Sequence, residues 1–218
     1  MERRTDFEKI KSIMGLNFIG PREIEKICLF LKLMPAQFYF NTIPHIPFTH
    51  DKLKEVAKTH VLFLGIPKHD DQSFITINSL RNIFGDNPTK SEPCFYNQDW
   101  YFNEKFANTS FSPGWYLISK ALNPLTRGLN TKDVFLQTNL KSFPSAVLTT
   151  YLFFLYYFHS NSEILFKHDY VWNSDFDINN DRIYVGKYID PLGINKNGFE
   201  IHRHLSIKPN YGAIEMVI

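Results

Sequence analysis

The sequence predicts an α+β fold, with a helix-rich first part (residues 1–160) and a strand-rich last part (residues 161–218) in a single domain. Three observations predict it. Apolar residues recur at helical spacing in short segments of the first half. After about residue 163, strand-like runs follow one another across short connections rich in turn residues. Between the two lies FPSAVLTTYLFFLYYF, residues 143–158, the most apolar run of the chain. The expected plan is a C-terminal antiparallel β-meander packed against that buried helix. With 218 residues, 21 Phe, 11 Tyr and 3 Trp, the chain can build a core without disulfides.

The elements follow in order. Gly20-Pro21 opens a helix in which Ile24, Ile27, Cys28 and Leu31 share one face, running to about Met34, where Pro35 blocks it. The loop QFYFNTIPHIPFT is held extended by Pro44 and Pro47. Thr49 caps a helix with Leu53, Val56 and Ala57 inward. HVLFLGIP reads as a buried strand. Thr76 caps a helix with Ile77, Leu80 and Phe84 inward, ended by Gly85. Residues 97–110 read as a further helix and residues 114–119, GWYLIS, as a strand. TRGLNTKD reads as a turn, and VFLQTNL as either a helical turn or a short strand. Four strands follow: EILFKHDYVWNSDFD, RIYVGKYI, GFEIHRHLSI and YGAIEMVI.

Charge and motifs narrow the function. Residues 1–109 hold 14 Lys and Arg against 13 Asp and Glu, and the rest 10 against 9. This even spread lacks the basic run of a dedicated nucleic-acid binder, although a folded surface can gather a patch that counting hides. The two cysteines, Cys28 and Cys94, are too few and too far apart for a disulfide framework. The start, MERRTDFEKIKSIMG, lacks the apolar region of a signal peptide, and the 143–158 run, 16 residues with two Thr and three Tyr, is short for a bilayer span. A cytoplasmic protein without membrane association is expected. The abundance of Asn, Lys, Ile and Phe suits an AT-rich bacterial or phage genome. No nucleophile elbow, Walker loop, dinucleotide glycine fingerprint, H-E-x-x-H or C-x-x-C occurs.

Chemistry could sit in two places. In GFEIHRHLSI, alternation puts Glu200, His202 and His204 on one face, opposite Phe199 and Ile201. Two imidazoles at that spacing can share a metal, but a polar sheet face is also an ordinary solvated one. In DFDINNDR, Asp175, Asp177, Asn179 and Asp181 give D-x-D-x-N-x-D. That run resembles the first half of a calcium loop, with Asn180 where the loop has Gly and Gly186 where it has its bidentate Glu. The preferred reading is a hairpin turn at Asn179-Asn180-Asp181, with Asn180 suited to a left-handed conformation.

Asp190 followed ten residues on by Glu200-Ile201-His202 resembles the core of the PD-(D/E)xK nucleases over about a dozen residues. Here Asp190 precedes Pro191 in inverted order, and His202 stands in place of Lys. The resemblance implies carboxylates around a divalent ion such as Mg²⁺ or Mn²⁺.

Aromatic clusters around Tyr39, Trp100 and Trp115 are candidates for partner contacts. The leading expectation is a protein that binds another macromolecule, most readily a protein. The alternative is a divalent-metal hydrolase, a nuclease among the choices, using Asp190, Glu200 and His202 with His204 or Asp177. A calcium-stabilised loop at Asp175, Asp177 and Asp181 is compatible with either.

Overall fold

The structure is a computed structural model describing residues 2–40, 42–190, 192, 198–203 and 206–217. Its first element is a helix absent from the sequence reading, α1 (Glu2–Met14), whose Ile10 and Met14 are buried. After β1 (Phe18–Ile19) comes α2 (Pro21–Leu31). Pro21 occupies the first helical position, and the Glu23 carboxylate accepts the Gly20 N–H at 3.1 Å. This helix stops at Leu31 rather than Met34, because Lys32 adopts a left-handed conformation, φ 49°. A short α3 (Ala36–Tyr39) interrupts the loop expected to be extended. Thr49 caps α4 (His50–Val56), Thr76 caps α5 (Ile77–Phe84), and Gly85 at φ 68° ends α5.

Residues 97–110 form turns and a 3-10 segment at Phe106–Asn108 instead of the expected helix. Asparagine side chains compete for the backbone there. Asn78 and Asn108 both donate to the Phe102 carbonyl, and Asn108 also donates to Glu104. The ambiguous VFLQTNL segment lies largely in α6 (Thr131–Gln137), because Asn130 accepts the Asp133 N–H and starts a helix inside the expected turn.

Two four-stranded sheets share the chain. The first runs β1–β2–β3–β8, with β2 (His60–Gly65), β3 (Gly114–Ser119) and β8 (Met216–Val217). Here β2 and β3 are antiparallel from His60↔Ser119 to Gly65↔Gly114. The second runs β6–β5–β4–β7, with β4 (Tyr170–Phe176), β5 (Arg182–Lys187), β6 (Phe199–His202) and β7 (Tyr211–Gly212). Three of the expected strands form the meander. The fourth run divides: β7 lies parallel to β4, and β8 crosses to the first sheet beside β3. Thr126 holds the crossing segment, taking the Ala213 N–H at 2.8 Å, while Ala213 accepts the Asn123 N–H.

The central helix is α7 (Ala146–His159), capped by Ser145 and buried from Ala146 to Tyr156. Phe153 and Phe154 meet Phe199 of the second sheet, and Tyr151 meets Phe63 of the first. One connected core therefore joins both sheets through α7. Among the described residues no helix is long and apolar enough to cross a membrane.

Candidate functional site

The second sheet has two buried faces. Val171, Ile183, Val185, Phe199 and Ile201 belong to the core shared with α7. The other face is aromatic and polar. One row across it is Tyr211, Tyr170, Gly186 and Glu200; the next is Trp172, Tyr184 and His202. Val134 of α6, Phe143, Leu129 and Leu140 pack against this face. Alternation thus places Glu200 and His202 together as expected. His204 lies outside the described residues.

Glu200 is almost fully buried, and its Oε2 accepts the Tyr170 hydroxyl and lies 2.9 Å from His202 Nε2. Gly186 lies between Tyr170 and Glu200 in the row. A β-carbon there would come within 2.8 Å of the Tyr170 ring and 2.1 Å of the Asp169 carbonyl, so the contact runs over a residue without a side chain. Burial, reinforced by the Glu200 charge, pushes the Tyr170 hydroxyl far above the usual tyrosine range. This acid carries donors from two sides and sits in a closed network.

The other sequence candidates go elsewhere. Asp190 lies beyond the end of β5, where its carboxylate accepts the Leu192 N–H at 2.9 Å, whereas Glu200 pairs with Gly186. Asp175 takes the Ala146 N–H at 2.6 Å and so caps α7. Asp177 folds a hairpin turn, its Oδ1 accepting the N–H groups of Asn179 and Asp181. Asn180 is left-handed at φ 64°, as the turn reading requires. Burial opposes ionisation of Asp177, but the Asp181 N–H and the Arg203 guanidinium hold it below the usual carboxylate range. Among the described residues no three His, Cys, Asp or Glu side chains gather where one metal ion could be held.

The aromatic candidates divide. Trp115 is core, stacked on Phe18 at 5.8 Å and donating to the Pro44 carbonyl. Trp100 donates to the Ile201 carbonyl, and Arg203 lies 4.4 Å above its ring. Tyr39 is half-buried against Phe40, while neighbouring Phe38 is exposed.

A cleft of about 500 Å³ opens where β2 begins and β3 ends, lined by Lys58, His60, Ser119, Lys120, Asn123 and Glu215 among others. It adjoins a second cavity of about 360 Å³ that shares Asn123 and Glu215 and continues past Leu125 to Leu140. Cavities of this size are typical ligand sites. The His60 side chain is 6% exposed, and its Nε2 lies 3.6 Å from Glu215 Oε2, an ion-pair distance. On the other side of the ring, Nδ1 lies 2.9 Å from Thr59 Oγ1, which is also 3.2 Å from the Val56 carbonyl. Burial lowers the His60 pKa, with Lys52 acting in the same direction and Glu215 opposing it. Ser119 pairs across the strands with His60, but its hydroxyl donates to Ala121 and accepts the Glu215 N–H.

No family model, curated protein or solved structure matches this chain. The site rests on its own geometry.

The sequence reading missed His60 and Glu215, which lie far apart in the chain. A signal was present. His60 opens an otherwise wholly apolar strand, and an imidazole carried into a buried strand needs a partner or a ligand.

Proposed function

We propose that this protein binds an extended segment of a partner protein in the cleft between the β2–β3 end and α6. The observation that carries the reading is the pair of cavities that share Asn123 and Glu215 in their linings, with the buried His60 imidazole in the wall of the first. The cleft continues past one compact pocket, and Leu122, Pro124, Leu125 and Leu140 give it apolar walls. A segment laid along it would bury these and bring its own polar groups beside the exposed Glu215 carboxylate.

The test is selection of displayed random peptides on the full chain, beside Ala121→Trp, which fills the cleft from an exposed position. An enriched peptide family that binds the variant at least tenfold more weakly supports the reading. No enrichment, or a family that binds both proteins equally, overturns it.

A further inference from the structure

We infer that the cavity between α1 and the start of α2 binds a small neutral molecule with one aromatic ring, about the size of toluene. The inference is independent of the cleft, with which this cavity shares no lining residue.

The cavity has a volume of about 200 Å³, and its apolar walls are Phe7 of α1, Phe18 of β1, Pro21 of α2 and Ile43. Two of these walls belong to an aromatic cluster. Phe18 stacks on Trp115 at 5.8 Å, and Phe7 lies 5.7 Å from the same indole and 6.4 Å from Phe18. Gly20 leaves room for the Phe18 ring, because a β-carbon there would come within 2.6 Å of its Cζ. A guest ring against these walls gains aromatic contacts beyond the burial of its own surface. The volume sets the size of the guest. An apolar protein cavity of about 150 Å³ takes one benzene, whereas drug-sized ligands fill about 300–1,000 Å³.

The charged neighbours set its charge. Glu8, Lys11, Arg22 and Glu23 line the same cavity, and they pair with one another. Lys11 donates to Glu23 at 2.6 Å, and Arg22 donates to Glu8. The Glu23 side chain is 5% exposed and its second oxygen accepts the Gly20 N–H, so both its oxygens have donors. Two positive groups thus balance two negative ones. A carboxylate on the guest would have to take Lys11 or Arg22 from its partner, and an ammonium would have to take Glu8 or Glu23. Either exchange trades one charge-assisted bond for another and desolvates a further charge. A neutral ring enters without that cost. The same pairs, with His50 3.2 Å from Asp6, tie α1 in place, so its wall of the cavity is preformed.

The experiment is ¹H–¹³C correlation NMR of the full chain with labelled isoleucine δ1 methyl groups. Toluene, benzylammonium and benzoate are titrated at neutral pH and constant ionic strength. The expected result is a saturable shift of the Ile43 methyl with toluene, and binding of both charged probes weaker by about tenfold or more. The methyl of Ile201, in the core beside the second sheet, should not move. Phe7→Trp puts a larger side chain into the cavity wall and should weaken toluene binding by about tenfold. If that variant does not fold, the titrations of the unaltered chain decide the matter by themselves. No saturable shift at Ile43, a charged probe that binds as tightly as toluene, shifts of equal size at Ile201, or unchanged binding by folded Phe7→Trp would each overturn the inference.

Discussion

Two histidine–glutamate pairs in this molecule use the same chemistry to opposite ends. In the second sheet the carboxylate is the buried partner: Glu200 is 4% exposed at the side chain, 2.9 Å from His202 and bonded to Tyr170. In the first sheet the imidazole is the buried partner: His60 is 6% exposed, 3.6 Å from a Glu215 that is 44% exposed. A buried carboxylate must be satisfied from inside, so the first pair is closed and its value is structural. In the second pair the carboxylate is the accessible member, and it lines the cleft. Distance and burial, rather than residue identity, distinguish the two pairs.

The strongest way to break this comparison is to delete each carboxylate. Glu200→Ala should cost about 3–5 kcal/mol, because it strips a buried donor network of its acceptor. Glu215→Ala should stay within about 0.5 kcal/mol, as surface changes do. Urea unfolding of both variants checks this, and equal losses would abolish the distinction. A smaller effect sharpens the closed pair. Tyr170→Phe removes one donor from Glu200 while keeping the ring, and should cost about 1–2 kcal/mol in the same measurement. The least effect is in the pH slope of stability. Burial lowers the folded pKa of His60, and of His159 likewise, below the ordinary 6.5. Between the folded and unfolded values the unfolded chain binds more protons, so stability should fall as pH drops below 6.5. Glu215→Gln removes the carboxylate that opposes the burial effect on His60. It should carry the fall to lower pH, as unfolding curves collected across the acid range would show.

Much of the fold was legible because it is written locally. Thr49, Thr76 and Gly85 punctuate helices where the sequence places them. The 143–158 run becomes the buried α7, with Ser145 as its cap. Alternation along β6 puts Glu200 and His202 on one face. The failures were equally specific. Residues 97–110 carry helical spacing, yet Asn78 from α5 and Asn108 hold the Phe102 carbonyl in a turn. The run at 211–218 has strand composition, but which sheet each half joins depends on Thr126 and β3.

Among the candidate sites, the sequence by itself determined the Glu200–His202 face and the Asp177 hairpin turn. Each lies within a few residues, where backbone periodicity and turn geometry fix relative position. Only the tertiary structure decided that Asp175 caps α7, that Asp190 lies beyond the end of β5, and that His60 meets Glu215 beside a cleft. Those relations join segments distant in the chain. No local periodicity encodes their spacing, so it is set by how the two sheets pack on α7.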